Sequence, residues 1–159
     1  MKHILSITVR NKPGVMSHVS GLFTRRGFNI DSIAVGETPN PEISVITIVM
    51  MGDENTANQL KGQLLKLADV LDVRILNYSQ AVIRELILLR IKVMPDKRSE
   101  FFGIIEIFNG KIHEIHENTI LIEVQGNPRQ INSLFKVLSE YEILEIARTG
   151  QIALPMYTE

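Results

Sequence analysis

The segment Asn11-Lys12-Pro13-Gly14-Val15-Met16 has the residue types to hold a small zwitterion. Asn11 carries a donor and an acceptor on one carboxamide. Gly14 lets another group approach the backbone closely. A helix beginning just after it presents N–H groups with no partner inside the helix. Those groups and the positive end of the helix dipole favour a carboxylate. This is the chemistry of an amino-acid site. A plain Pro-Gly turn ahead of a helix has the same composition, and composition alone does not separate the two.

Other constellations point away from catalysis. His113 and His116 fall on a segment read as a strand, where an odd spacing sends them to opposite faces; a shared metal is not expected. His3 and His18 have no acidic neighbour in sequence. Glu140, Glu142 and Glu145 read as a solvated cluster near the last turn. No glycine pattern matches a phosphate-binding loop or a dinucleotide fingerprint, and no Gly-x-Ser-x-Gly elbow is present. The chain has no cysteine, which excludes disulfides, thiol catalysis and Cys-based zinc sites. No catalytic residue and no metal ligand is therefore assigned.

Composition narrows the partners. Lys and Arg total 17 against 18 Asp and Glu, a net charge of −1. A nucleic-acid binder usually carries a basic excess to meet phosphates. Aromatic residues are 6% of the chain, too few for base-stacking strands. No apolar run approaches the roughly 20 residues that span a bilayer. The opening residues lack the long apolar stretch of a signal peptide. Neither nucleic acid nor membrane is expected as a partner, and the expected location is cytoplasmic.

The elements that position the Asn11 loop follow from periodicity. Ile4 to Val9 alternates as a strand. Val15, Met16, Val19, Leu22 and Phe23 fall on one helical stripe, ended by Gly27. Phe28 to Glu37 and Ile43 to Met51 read as strands around Pro39-Asn40-Pro41. Asp53 is a natural N-cap for a helix burying Ala57, Leu60, Leu64 and Leu67. Val70 to Asn77 is the fourth strand. The order then repeats: strand Val82 to Val93, a helix after Asp96 stopped by Gly110, and a hairpin of Lys111 to His116 with Thr119 to Gln125. A helix opened by Asn127-Pro128 and a last strand Ile143 to Leu154 complete it. Each half reads β-α-β-β-α-β. The expected fold is α+β, with two ferredoxin-like βαββαβ domains over residues 1–77 and 78–159. In such a sheet the second strand lies at an edge, and Phe28 to Gly36 is apolar enough to pair with another chain. A homodimer or higher oligomer is expected.

The run Asn11-Lys12-Pro13-Gly14-Val15 with Arg26-Gly27-Phe28-Asn29-Ile30 resembles an ACT domain, an amino-acid-sensing module. Together with Arg84-Glu85-Leu86 and the tail Ala147 to Leu154, it is similar to the small regulatory subunits of acetolactate synthase. The resemblance runs from about residue 3 to residue 154. It implies that residues 1–77 are the ACT domain, for effector binding and dimerisation, and 78–159 the C-terminal domain of such a subunit. It implies a chain without an active site, which activates a separate catalytic (large) subunit. That subunit is a transferase condensing two pyruvates, or pyruvate with 2-oxobutanoate, on the route to valine, leucine and isoleucine. Thiamine diphosphate, magnesium and FAD are implied for the catalytic subunit and none for this chain. The resemblance further implies allosteric feedback inhibition by a branched-chain amino acid, usually valine. The effector would lie between two chains, with Asn11, Gly14, Val15 and Met16 from one and Asn29 and Ile30 from the other. The alternative is a stand-alone amino-acid-sensing regulator of another enzyme or of transcription.

Overall fold

Leu5, Ile7 and Val9 project to one side of the first strand, and that side is where the first core forms. The computed structural model describes residues 1–157. Among them, no helix is long and apolar enough to cross a membrane. In chain order the elements are β1 (Lys2–Arg10), α1 (Val15–Arg25), β2 (Ile30–Glu37), β3 (Ile43–Met51), α2 (Glu54–Leu64) and β4 (Val70–Leu76). A short 3₁₀ turn, Tyr78–Gln80, leads on to β5 (Ala81–Lys92). Then come α3 (Arg98–Ile107), β6 (Lys111–Ile115), β7 (Thr119–Gly126), α4 (Pro128–Val137), β8 (Glu142–Arg148) and β9 (Ile152–Pro155). This is the expected α+β fold of two βαββαβ motifs.

The first unit is a four-stranded antiparallel sheet in the order β2-β3-β1-β4. Val19, Leu22 and Phe23 of α1 and Leu60 and Leu64 of α2 pack on its inner residues Leu5, Ile7, Ile46, Ile48 and Val73. Asp53 caps α2 as its sequence position suggests, accepting from the Thr56 N–H at 2.7 Å. β2 begins at Ile30 and not at Phe28. The Phe28 N–H closes the end of α1 on the Phe23 carbonyl at 2.9 Å, so it is not available to a sheet ladder. The ladder to β3 is also irregular between Ile30 and Ser32.

The second sheet repeats the topology as β6-β7-β5-β8, with β9 as a fifth strand pairing to β5. Its core joins Ile87, Leu89 and Ile91 of β5 to Phe101 and Ile105 of α3 and Ile131 and Leu134 of α4. Asn127 and Gln130 form a reciprocal capping box on α4, each bond 2.8 Å, which satisfies two otherwise orphaned N–H groups. The stop after α3 is Asn109, at φ 54°, and not Gly110. Gly110 serves a different need. A Cβ there would stand 2.6 Å from Ile105 Cγ2, so only glycine lets the chain pass the helix.

The expected last strand, Ile143 to Leu154, is two strands. Its apolar alternation runs through the break, but Gly150 at φ 80° turns the chain between β8 and β9. The Thr149 N–H donates to the Leu86 carbonyl and its Oγ1 accepts from the Leu86 N–H, each at 3.1 Å, which anchors the end of β8. The tail beginning at Gln151 belongs to the first unit, whereas its sequence position suggests the second. The Gln151 N–H donates to Ser32 Oγ at 2.8 Å, and the Met156 N–H to the Gln80 carbonyl at 2.7 Å. The units are thus Met1–Val82 with that tail, and Ile83–Gly150.

Candidate functional site

The loop between β1 and α1 is held by the turn between β2 and β3. The Asn11 N–H donates to the Glu42 carbonyl at 2.7 Å. Asn11 Nδ2 donates to Glu37 Oε1 at 3.2 Å and to the Pro41 carbonyl at 3.0 Å. Two acceptors therefore fix which end of the carboxamide faces the turn. The remaining atom, Oδ1, is an acceptor, and the Glu37 carboxylate lies against Nδ2 of the same carboxamide. A positive ligand group suits this corner.

The other half of the loop favours a negative group. Gly14 is the N-cap of α1 at φ 87°, ψ −12°, a left-handed conformation that suits glycine. No side chain among the described residues caps the helix. The N–H groups of Met16 and Ser17 have no backbone partner among the described residues. A Cβ built on Gly14 meets nothing within 4 Å, so the backbone is open to approach. An acceptor corner and an unfilled helix N-terminus thus flank one loop.

The residues named from sequence are not equivalent. Val15 is buried at 4% exposure and packs in the core, so its side chain anchors the helix and does not face the loop. Met16 is 37% exposed and is the apolar side chain the loop presents. Asn29 is exposed, and Ile30 is half-buried against the first core. Asn29 and Ile30 do not meet the loop within one chain. Arg10 pairs with Ile43 at one end of β3, and Ile30 with Met50 near the other. Those ends are about 24 Å apart at 3.4 Å per strand residue.

β2 is an edge strand of its sheet. Ile33 and Val35 on it are 36% and 51% exposed, on the side of the sheet that carries the helices. If β2 paired antiparallel and end to end with a copy of itself, residue 30 of one chain would lie near residue 37 of the other. Glu37 is the residue that holds Asn11. Sequence reasoning missed Glu37, because its tie to Asn11 crosses 26 positions; the only local signal was the Pro39-Asn40-Pro41 turn.

The histidines have local roles. His3 Nε2 lies 3.0 Å from the Gly52 carbonyl, and His113 pairs with Glu123 at 2.9 Å. His116 lies beyond the end of β6 and contacts Glu114. A larger cavity of about 530 Å3 opens by His3, Glu54, Ile75 and Tyr78, and none of the six loop and β2 residues named from sequence lines it.

Comparison with known proteins agrees with this architecture. Residues 5–72 match the family described as AHAS small subunit-like ACT domain, and residues 84–156 the family described as small subunit of acetolactate synthase. The chain is 40% identical to a probable acetolactate synthase small subunit of Archaeoglobus fulgidus, over 97% of this chain and 96% of that one. It is likewise 40% identical to the acetolactate synthase small subunit of Bacillus subtilis, over 100% of this chain and 93% of that one. Among solved structures, the acetolactate synthase small subunit of Thermotoga maritima superposes with a TM-score of 0.91 at 36% identity, covering 100% of this chain and 99% of that one. With both halves matched and the fold reproduced along its length, the chain belongs to the acetolactate synthase small-subunit family.

Proposed function

We propose that this chain is a regulatory subunit that activates the catalytic subunit of acetolactate synthase and makes it sensitive to a branched-chain amino acid, valine first. The observation that carries the site is the Gly14 loop, with a helix N-terminus uncapped by any side chain on one flank and the Asn11–Glu37 corner on the other. The effector carboxylate sits on the Met16 and Ser17 N–H groups. Its ammonium sits at Asn11 Oδ1 and Glu37. Its apolar end meets Met16 and, from a second chain paired through β2, Asn29 and Ile30. The exposed apolar edge of β2 supports that dimer. Regulation then requires only that the ligand bind one arrangement of the complex better than another.

Co-purification with the catalytic subunit tests this reading, followed by assays with and without each branched-chain amino acid. The expected result is no acetolactate synthase activity from this chain alone, a raised rate on mixing, and inhibition by at least one of the three. Failure to raise the rate overturns the activating role.

A further inference from the structure

The second unit contains a cavity of about 260 Å3 where β5 ends and α3 approaches, against the turn into β8. Lys92 and Lys97 bring positive charge to it, and Glu100, Glu140 and Glu142 negative charge. Met94 and Tyr141 bring apolar surface. Lys92 and Glu142 are cross-strand partners, so one charge of each sign is set by the sheet register. The Tyr141 ring is held edge-on to Phe101, with centroids 5.4 Å apart.

The Tyr141 hydroxyl is shielded from solvent and has no hydrogen-bond partner among the described residues. Buried polar atoms are normally paired, so an unpaired one asks for an explanation. Lys97 and Glu100 form the neighbouring ion pair at 3.6 Å, with side chains 59% and 54% exposed. Such a pair is weakly held and free to open toward an incoming group. Met94 is 44% exposed, an apolar side chain left at the cavity.

We propose that this cavity binds an α-amino acid, at a place independent of the Gly14 loop. Its ammonium meets Glu140 and Glu142, and its carboxylate meets Lys92 and Lys97. Its side chain lies on Met94. Charges of both signs fit a dipolar ligand better than an anion, which the carboxylates repel. A metal is disfavoured, since no group of three ligating side chains occurs among the described residues. The volume lies just under the range for drug-sized ligands, which suits a single amino acid.

The test is NMR of the full chain labelled at the methionine methyls, titrated with each common amino acid in turn. The variants are Glu142→Gln, Lys97→Met and Gly14→Asp. At least one amino acid should shift the Met94 methyl in wild type and equally in Gly14→Asp. Glu142→Gln and Lys97→Met should each weaken that binding about tenfold or more, the scale of a lost charge-assisted hydrogen bond. Undisturbed signals from the other methionines show that each variant is folded. Three results overturn the proposal: no Met94 shift with any amino acid up to about 10 mM, beyond the weak millimolar range; wild-type affinity in both charge variants; or loss of the shift in Gly14→Asp, which makes it an echo of the first unit.

Discussion

The Asn11 carboxamide donates to the Glu37 carboxylate at 3.2 Å and ties the loop before α1 to the far end of β2. The loop and the end of the edge strand are therefore joined through these two side chains. Any group that binds beside Asn11 also feels the strand through which a second chain would pair.

Glu37→Gln keeps an acceptor for Asn11 but removes the negative charge from the ammonium corner. The concentration of valine giving half-maximal inhibition of the reconstituted enzyme should rise about 3- to 10-fold, at roughly 1.4 kcal/mol per tenfold. Stimulation of the catalytic subunit should be unchanged. An unaltered valine response removes Glu37 from the site.

Ile33→Lys should weaken self-association. Burying an isoleucine is worth roughly 1.5–3 kcal/mol, so the dimer dissociation constant should rise about 10- to 100-fold. Light scattering across a dilution series measures this. A wild-type chain that stays monomeric at high concentration contradicts the dimer.

Glu85 is 5% exposed, and Arg148 Nε lies 2.6 Å from its Oε1. The guanidinium also lies over the Phe135 ring, 5.4 Å from its centroid. Arg148→Ala strands a buried carboxylate, which typically costs about 3–5 kcal/mol. Because Arg148 remains 45% exposed, the lower end is expected. Urea unfolding measures it, and a change under about 1 kcal/mol would rank this pair with ordinary surface ion pairs.

Hydrogen bonds from Thr56, its side chain first and then its backbone N–H, hold the Asp53 carboxyl below its ordinary value. A lowered folded-state pKa means stability that is present above the unfolded value and lost as pH falls through the folded one. The stability gap between wild type and Asp53→Ala should therefore be full at neutral pH and close in acid. Urea unfolding from neutral pH down to about pH 3, below the ordinary carboxylate range, gives that profile. A gap independent of pH would show that the cap acts without its charge.

Much of the fold was legible because local chemistry and tertiary packing agree. Asp53 and Asn127 cap the helices their positions suggest, and the apolar stripe of α1 faces the core. The differences have separate physical causes. Phe28 looked like a strand residue, but its N–H closes α1. Ile152 to Leu154 continued the alternation of β8, yet Gly150 turns them toward the first unit. Val15 lies in the loop motif and is also buried on the helical stripe that its spacing predicts. For Glu37 the only local signal is the Pro39-Asn40-Pro41 turn, which does not say that a residue 26 positions away will hold Asn11.

The most direct test is a valine titration of reconstituted activity with wild type, Gly14→Ala and Gly14→Asp. Gly14 has φ 87°, so both variants strain the backbone, and alanine reports that strain alone. Aspartate also places its own carboxylate beside the Met16 and Ser17 N–H groups, where the effector carboxylate would bind. Losing one charge-assisted hydrogen bond costs about 1.5–3 kcal/mol, roughly 10- to 100-fold in affinity. The account predicts that Gly14→Asp loses at least this much valine sensitivity relative to Gly14→Ala while still stimulating the catalytic subunit. A wild-type response to valine that Gly14→Asp reproduces unchanged contradicts it.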